Sequence, residues 1–184
     1  MKKIILLLVL FISTITIKAQ EINWIPIDKA IELQKLNPKK IMIDVYTNWC
    51  GPCKMLDKNT FQNKEVADYV NKNFYAVKFN AEGDDIINYK GKKYSNPKYD
   101  PARAKGRNHA HEFSVFMGIT AFPTIVFMDE KAEMIIPLKG YRTPQQLELY
   151  LKMFHKNDHN KFSTQEGFQN YYDKLDLKFV WINS

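Results

Sequence analysis

Cysteine is scarce in this chain: of 184 residues only Cys50 and Cys53 carry a thiol. A pair this close is a poor structural staple. In the chain-entropy picture a four-residue ring contributes only about 2 kcal/mol, against roughly 4.7 kcal/mol for a hundred-residue loop. Histidine is scarce too, with four in all. A zinc site usually needs four ligands, and the nearest candidates, His109 and His111, lie far along a polar segment, so no metal is expected. An excess of one charge is missing as well. Setting aside Lys2, Lys3 and Lys18, the 27 basic residues become 24 against 20 acidic, or +4. That is too mild to argue for nucleic acid, and the basic residues form no amphipathic stripe.

Long apolar runs are almost absent, the exception being Ile4 to Ile12 near the start. Lys2 and Lys3 precede this run, and "STITIKAQ" follows it with Ala19 just before Gln20. The layout is that of a secretory signal peptide over residues 1–19, and the run is too short to span a bilayer. An uncleaved anchor is the competing reading. No cysteine follows Ala19, so a lipid is not expected there. The mature chain from Gln20 suits one domain with a full core. Export would place it where disulfides form and persist, in the periplasm or another extracytoplasmic space, soluble after cleavage.

The order of elements is legible. Pro26, Asp28 as a cap, and apolar Ala30, Ile31, Leu33 and Leu36 predict a helix over about 28–37, ended by Asn37 and Pro38. "KIMIDVYT" predicts a strand buried on both faces, with Asp44 its one internal charge. A helix follows the cysteines, and Asn63 looks like the cap of another, "KEVADYVNKNF". "FYAVKFNAE" reads as a strand. "ITAFPTIVFMDE" and "AEMIIPLKG" read as two more, joined by a tight turn at Glu130 and Lys131. Thr143 before Pro144 marks the start of a further helix. Residues 83–112 interrupt the pattern with Tyr, Lys, Gly and Pro. The tail, 157–184, has one helix candidate in "TQEGFQNYYDKL". There are no internal repeats.

With the segment "WCGPCK" in this order of elements, the chain resembles the thioredoxin-like proteins, of the exported class. "IMIDVYTN" is similar to the strand leading into that family's active site, and "VKFNAE" to its next strand. "GITAFPTIVFMDE" is similar to the segment bearing the cis-proline, and "LKGYRTPQQLELYL" to the closing glycine and helix. The resemblance covers roughly 28–155. It implies an α/β thioredoxin fold, a central mixed β-sheet flanked by helices. The domain would span 20–156, with the 83–112 insertion before the helix that precedes the cis-proline strand.

The resemblance also assigns roles. Cys50, at a helix N-terminus where unpaired N–H groups and the dipole favour a thiolate, is the expected nucleophile. Cys53, one turn on, is the expected resolving thiol. Gly51 and Pro52 shape the approach. Asp44 corresponds to a buried acid that relays a proton to the resolving thiol, and Lys78 to the lysine that accompanies it. A satisfied strand-end carboxylate and an outward lysine are the plainer readings of those two. Phe122 and Pro123 match the cis-proline segment lining the substrate groove, and Trp49 the surface around the site, unless it simply packs.

The function implied is thiol–disulfide exchange. The Gly-Pro pair between the cysteines favours reduction of protein disulfides, with electrons from a membrane-bound thiol donor and no cofactor. An oxidase or isomerase is the alternative within the class. A partner-binding or chaperone module with incidental thiols is the alternative outside it. Lys90 to Arg107 carries Lys90, Lys92, Lys93, Lys98, Arg103, Lys105 and Arg107 against Asp100 alone. Tyr89, Tyr94 and Tyr99 are interleaved, and "YKGKKY" suggests a small hairpin around Gly91. This insertion reads either as a solvated excursion or as a contact for an acidic partner through its tyrosines and basic side chains.

Overall fold

A computed structural model describes residues 21–179. The expected signal peptide, residues 1–19, and the final five residues lie outside the described residues. The chain joins the sheet through a two-residue strand that the sequence did not announce, Trp24–Ile25 (β1), and continues into Ile27–Leu36 (α1). Pro26 takes the N-cap position there, and no side chain caps the helix. Asp28, expected as the cap, is carried into the first turn instead. Its carboxylate accepts the backbone and side-chain N–H groups of Asn88, 60 residues away, at 2.8–3.2 Å.

Lys40–Tyr46 (β2) follows, and its first six residues are buried, as a strand covered on both faces must be. Gly51–Leu56 (α2) carries the second cysteine and runs on through a π-helical turn, Asp57–Phe61. Lys64–Asn73 (α3) is capped as expected, with Asn63 Oδ1 accepting from Glu65 N and Val66 N. Phe74–Asn80 (β3) comes next, then the insertion, which contains Ile87–Tyr89 (β4) and Lys92–Tyr94 (β5). Glu112–Phe116 (α4), Thr124–Met128 (β6), Met134–Lys139 (β7) and Pro144–His155 (α5) complete the domain. Thr143 and Gln146 form a reciprocal capping box at α5. The tail helix is Gln165–Asp173 (α6).

The main sheet has the order β1-β3-β2-β6-β7, with β1, β3 and β2 parallel and β6 and β7 antiparallel. This is the mixed sheet expected. Side chains alternate across it. Met42, Phe74, Ala76 and Phe127 face a cluster that includes Val66, Val70, Leu147 and Leu151 of α3 and α5, with Phe179 of the tail. Ile41, Ile43, Val45, Val77 and Phe79 face the opposite cluster with Ala30, Phe113 and Met117. The tail is tied down by Glu148 of α5, fully buried, whose carboxylate accepts Lys178 N and Phe179 N at 2.7–2.8 Å.

The insertion is not a solvated excursion. β4 and β5 pair as a hairpin whose two-residue turn, Lys90-Gly91, has positive φ at both positions, 51° and 77°, the geometry of the tight turns that match strand twist. Tyr89 and Tyr94 point inward and are buried, their rings 5.3–5.4 Å from that of Phe113. This corrects the expectation that they meet a partner. Burial of an aromatic ring stabilises far more than leaving it on a surface, so the tyrosines pin the hairpin to the core. Tyr99 is half-buried.

Candidate active site

The two strands with the site's charges are neighbours, and their register sets Asp44 of β2 directly beside Lys78 of β3. Asp44 shares its face of the sheet with Met42, so its carboxyl points towards the layer in which α2 lies. β2 ends at Tyr46, and the turn that follows delivers Thr47, Asn48 and Trp49 to the start of α2.

Cys50 is the N-cap of α2, and its Sγ accepts the backbone N–H of Cys53 at 3.1 Å. The two cysteines are joined in a disulfide with their Cα atoms 5.3 Å apart. Both are nearly covered, at 2% and 6% exposure, while Gly51 and Pro52 between them are exposed. A Cβ at Gly51 would meet nothing within 4 Å, so the bend over the disulfide opens to solvent.

Beneath the pair lies a cavity of about 250 Å³, lined by Asp44, Cys53, Asp57 and Lys78 among others. Asp44 is only 2% exposed, and its Oδ1 has no hydrogen-bond partner. Burial pushes its pKa up from 3.8 to about 7, although Lys78 pulls it down; the Asp57 charge adds a smaller upward push. Lys78 Nζ is 2.5 Å from Asp57 Oδ1 and lies over the rings of Trp24 and Tyr46 at 5.4 and 5.5 Å. The lysine is therefore neither a plain outward strand residue nor Asp44's alone. Asp57 was missed in the sequence. Its signal was the spacing, four residues after Cys53, which puts the two on one helix face.

The rim of the site is aromatic and partly built by the insertion. The Phe122–Pro123 peptide bond is cis. Thr124 pairs with Val45 across β2 and β6, so Pro123 stands at the sheet end from which the Cys50 loop leaves. The ring of Phe122 meets that of Trp49 edge to face at 6.0 Å. Trp49 is also hydrogen-bonded. Its indole N–H donates to Glu82 Oε2 at 2.7 Å, and that same oxygen accepts Asn108 N at 2.8 Å. Asn48 Nδ2 donates to Ala104 O, and the Arg107 guanidinium lies 4.0 Å from the centre of the Trp49 ring. None of these long-range partners was legible from sequence spacing.

The histidines do not gather at the cysteines. His111 is buried, and its two ring nitrogens meet Phe113 N and Asp85 O, so it serves as the cap of α4. His109 is exposed. No group of three metal-ligating side chains occurs among the described residues.

Comparison with known proteins agrees with this geometry. The chain is 28% identical over 124 residues to the thiol-disulfide oxidoreductase ResA of Bacillus thuringiensis subsp. konkukian, an alignment covering 67% of this chain and 68% of that one. A thioredoxin-fold protein from Helicobacter pylori superposes with a TM-score of 0.52 at 20% identity, covering 74% of this chain and 81% of its own. A thioredoxin from Thermus thermophilus gives 0.54 at 16% identity, covering 73% and 87%. Residues 27–155, from α1 to the end of α5, match the thioredoxin-like domain family, and the chain belongs to it.

Proposed function

We propose that this protein is a thiol–disulfide oxidoreductase that reduces protein disulfides outside the cytoplasm through a Cys50/Cys53 cycle. The observation that carries the reading is the pairing of a helix-capping cysteine with a second cysteine that shares its cavity with a buried carboxyl. In the reduced protein, the Cys53 N–H and the start of α2 stabilise a thiolate on Cys50. That thiolate attacks one sulfur of a substrate disulfide, forming a mixed disulfide and releasing the other substrate sulfur, which takes a proton from solvent. Cys53 then gives up its proton to ionised Asp44 through the cavity and attacks Cys50 Sγ. The second substrate sulfur leaves as a thiolate, and the Cys50–Cys53 disulfide is restored. Two electrons have passed to the substrate.

A group with a pKa near 7 is suited to accept and release that proton at neutral pH. Lys78 holds positive charge beside the cavity and steadies the ionised acid. Trp49, Phe122 and Pro123 shape the wall against which the substrate backbone lies, with Gly51 and Pro52 leaving its approach open. The cycle needs a thiol donor to reduce the pair again, which we place in the membrane. Export is supported by the residue pattern of 1–19. No helix among the described residues is long and apolar enough to cross a membrane. The test is the reduction potential with turnover of a small-molecule disulfide. A value near −270 mV, that of thioredoxin, supports a reductase, whereas about −120 mV would make it an oxidant. No turnover above the Cys50→Ser background would remove the oxidoreductase reading.

A further inference from the structure

Residues 103–108 of the insertion lie against the residues just before Cys50, and their charges are sorted. Two nearby acids, Glu82 and Asp100, are spent on the protein's own N–H groups. Glu82 Oε2 takes Trp49 Nε1 and Asn108 N, and Asp100 Oδ1 takes Ala102 N. Asn108 locks the arm from within, accepting Asp100 N and donating to Asp100 O. The cations are treated in the opposite way. Arg103, Lys105 and Arg107 are all exposed, and none has an ion-pair partner among the described residues. Arg107 is held in place all the same, by its stacking on Trp49. A stacked guanidinium keeps its edge donors free and loses little entropy on binding a carboxylate.

The geometry points to Arg103, Lys105 and Arg107 as a docking rim for an acidic segment of the protein substrate, one that flanks the disulfide presented to Cys50. This replaces Tyr89 and Tyr94, which are buried, as the contact surface of the insertion. A protein segment fits better than a lipid surface for two reasons. The rim's anchor, Arg107, rests on Trp49, the residue next to Cys50, where a disulfide-bearing chain must arrive. Three cations on one short arm also fall short of the four to eight that mark anionic-lipid binding. The inference rests on the oxidoreductase reading above, and the test separates the two.

The probes are two synthetic peptides with one intrachain disulfide, identical except that flanking Asp and Glu residues in the first are Asn and Gln in the second. An exposed ion pair contributes up to a few-fold, so two or three together predict about a tenfold faster reduction of the acidic peptide at low salt. The ratio should shrink to about twofold in 0.5 M NaCl, where the screening length is only a few ångströms. Arg107→Gln with Lys105→Gln should cut the low-salt ratio to the roughly twofold that Arg103 alone can give, whereas Arg107→Lys should keep most of it. Reversing both charges with Arg107→Glu and Lys105→Glu should favour a peptide flanked by lysines. Hydroxyethyl disulfide, uncharged, is the control on the unaltered protein. If the protein fails to reduce it, the oxidoreductase reading falls. If it reduces that compound but reduces both peptides equally, the docking rim falls alone. Salt-sensitive binding to vesicles with 30% phosphatidylglycerol, lost in the double Gln variant while the peptide ratio stays, would assign the rim to a membrane and overturn the inference.

Discussion

Asp44→Asn should make the oxidised protein more stable at alkaline pH and no more stable at acid pH. An unfolded aspartate releases its proton near 3.8, while Asp44 in the fold holds it to about 7. Between those values the folded state binds the extra proton, so the parent's stability falls as pH rises through the window and levels off above it. At about 1.4 kcal/mol per pH unit, the fold loses roughly 4 kcal/mol across it. Asparagine does not titrate and has no such slope. Its amide does carry a fixed cost. Asp44 Oδ1 already lacks a partner, and a buried amide N–H₂ left unmet there costs about 1–3 kcal/mol at every pH. The variant should therefore gain about 1–3 kcal/mol at pH 8 and lose a similar amount at pH 4.

The difference between the two pH values cancels the fixed cost and isolates the proton. It should be roughly 4 kcal/mol, or about ten degrees in melting temperature for a chain of this length. Urea unfolding of both oxidised proteins, followed by tryptophan fluorescence from pH 4 to 8.5, measures it. Carboxylates remote from Asp44 titrate equally in both, so they drop out of the comparison. Stability curves that run parallel across the window would refute the reasoning, because they would mean that Asp44 ionises in the fold as freely as in the unfolded chain. In stopped-flow, the same variant should slow release of the second substrate sulfur more than the first attack.

The other expectations concern neighbouring residues. Asp57→Asn removes a charge that pushes the Asp44 pKa up and frees Lys78 to act on Asp44 alone. Both changes lower that pKa, so the fall in stability should move to lower pH; a midpoint that stays or rises contradicts the shared-lysine geometry. Cys53→Ser should accumulate mixed disulfides with protein substrates and Cys50→Ser few or none, read on non-reducing gels; the reverse pattern would exchange the two roles. Tyr94→Ala empties a ring site against Phe113 and Phe116, and truncating a buried aromatic typically costs about 3–5 kcal/mol. A loss below about 1 kcal/mol in urea would show that the hairpin contributes little to the core.

What the sequence announced and what it hid differ in range. β2 was legible because a strand buried on both faces needs apolar, β-branched members, and "KIMIDV" supplies Ile41, Ile43 and Val45 beside Met42. The caps at Asn63 and Thr143 were legible because a cap acts within three residues. β1 was not, since two residues carry no periodicity and exist as a strand only through Ala76 and Val77 of β3. The hairpin shows a subtler failure. Ile87, Tyr89 and Tyr94 face one side of it, and Asn88 and Lys93 the other, so the alternation was present. The lysines made the segment read as solvated, while the aromatic face that buries it, Phe113, arrives only with α4. Asp44 was marked as an isolated charge in an apolar strand. Its entanglement with Asp57 through Lys78 depends on where the π-helical turn leaves the carboxylate, and no spacing rule gives that.

The two additions to the domain lie on opposite faces of the sheet, and that separates what each can do. The tail reaches the α3–α5 layer, where Phe179 packs in the core and Phe162, Phe168 and Tyr171 pack against it. Its tether, Glu148, is buried in α5 and points to the tail backbone. The insertion joins the α1–α4 layer through Ile87, Tyr89 and Tyr94, then sends an arm over the sheet end to Asn48 and Trp49. Trp49 is thus clamped by residues from three places, Glu82 at the end of β3, Arg107 on the arm and Phe122 before the cis-proline. Among the described residues, the tail's hydrogen bonds run to α5 and its own neighbours, not to the residues around Cys50. A change in the arm acts on the residue adjoining Cys50 directly. With the arm as the proposed docking rim, substrate choice and global stability become separable in this chain, the first tested in the insertion's arm and the second shared by the tail and the buried hairpin.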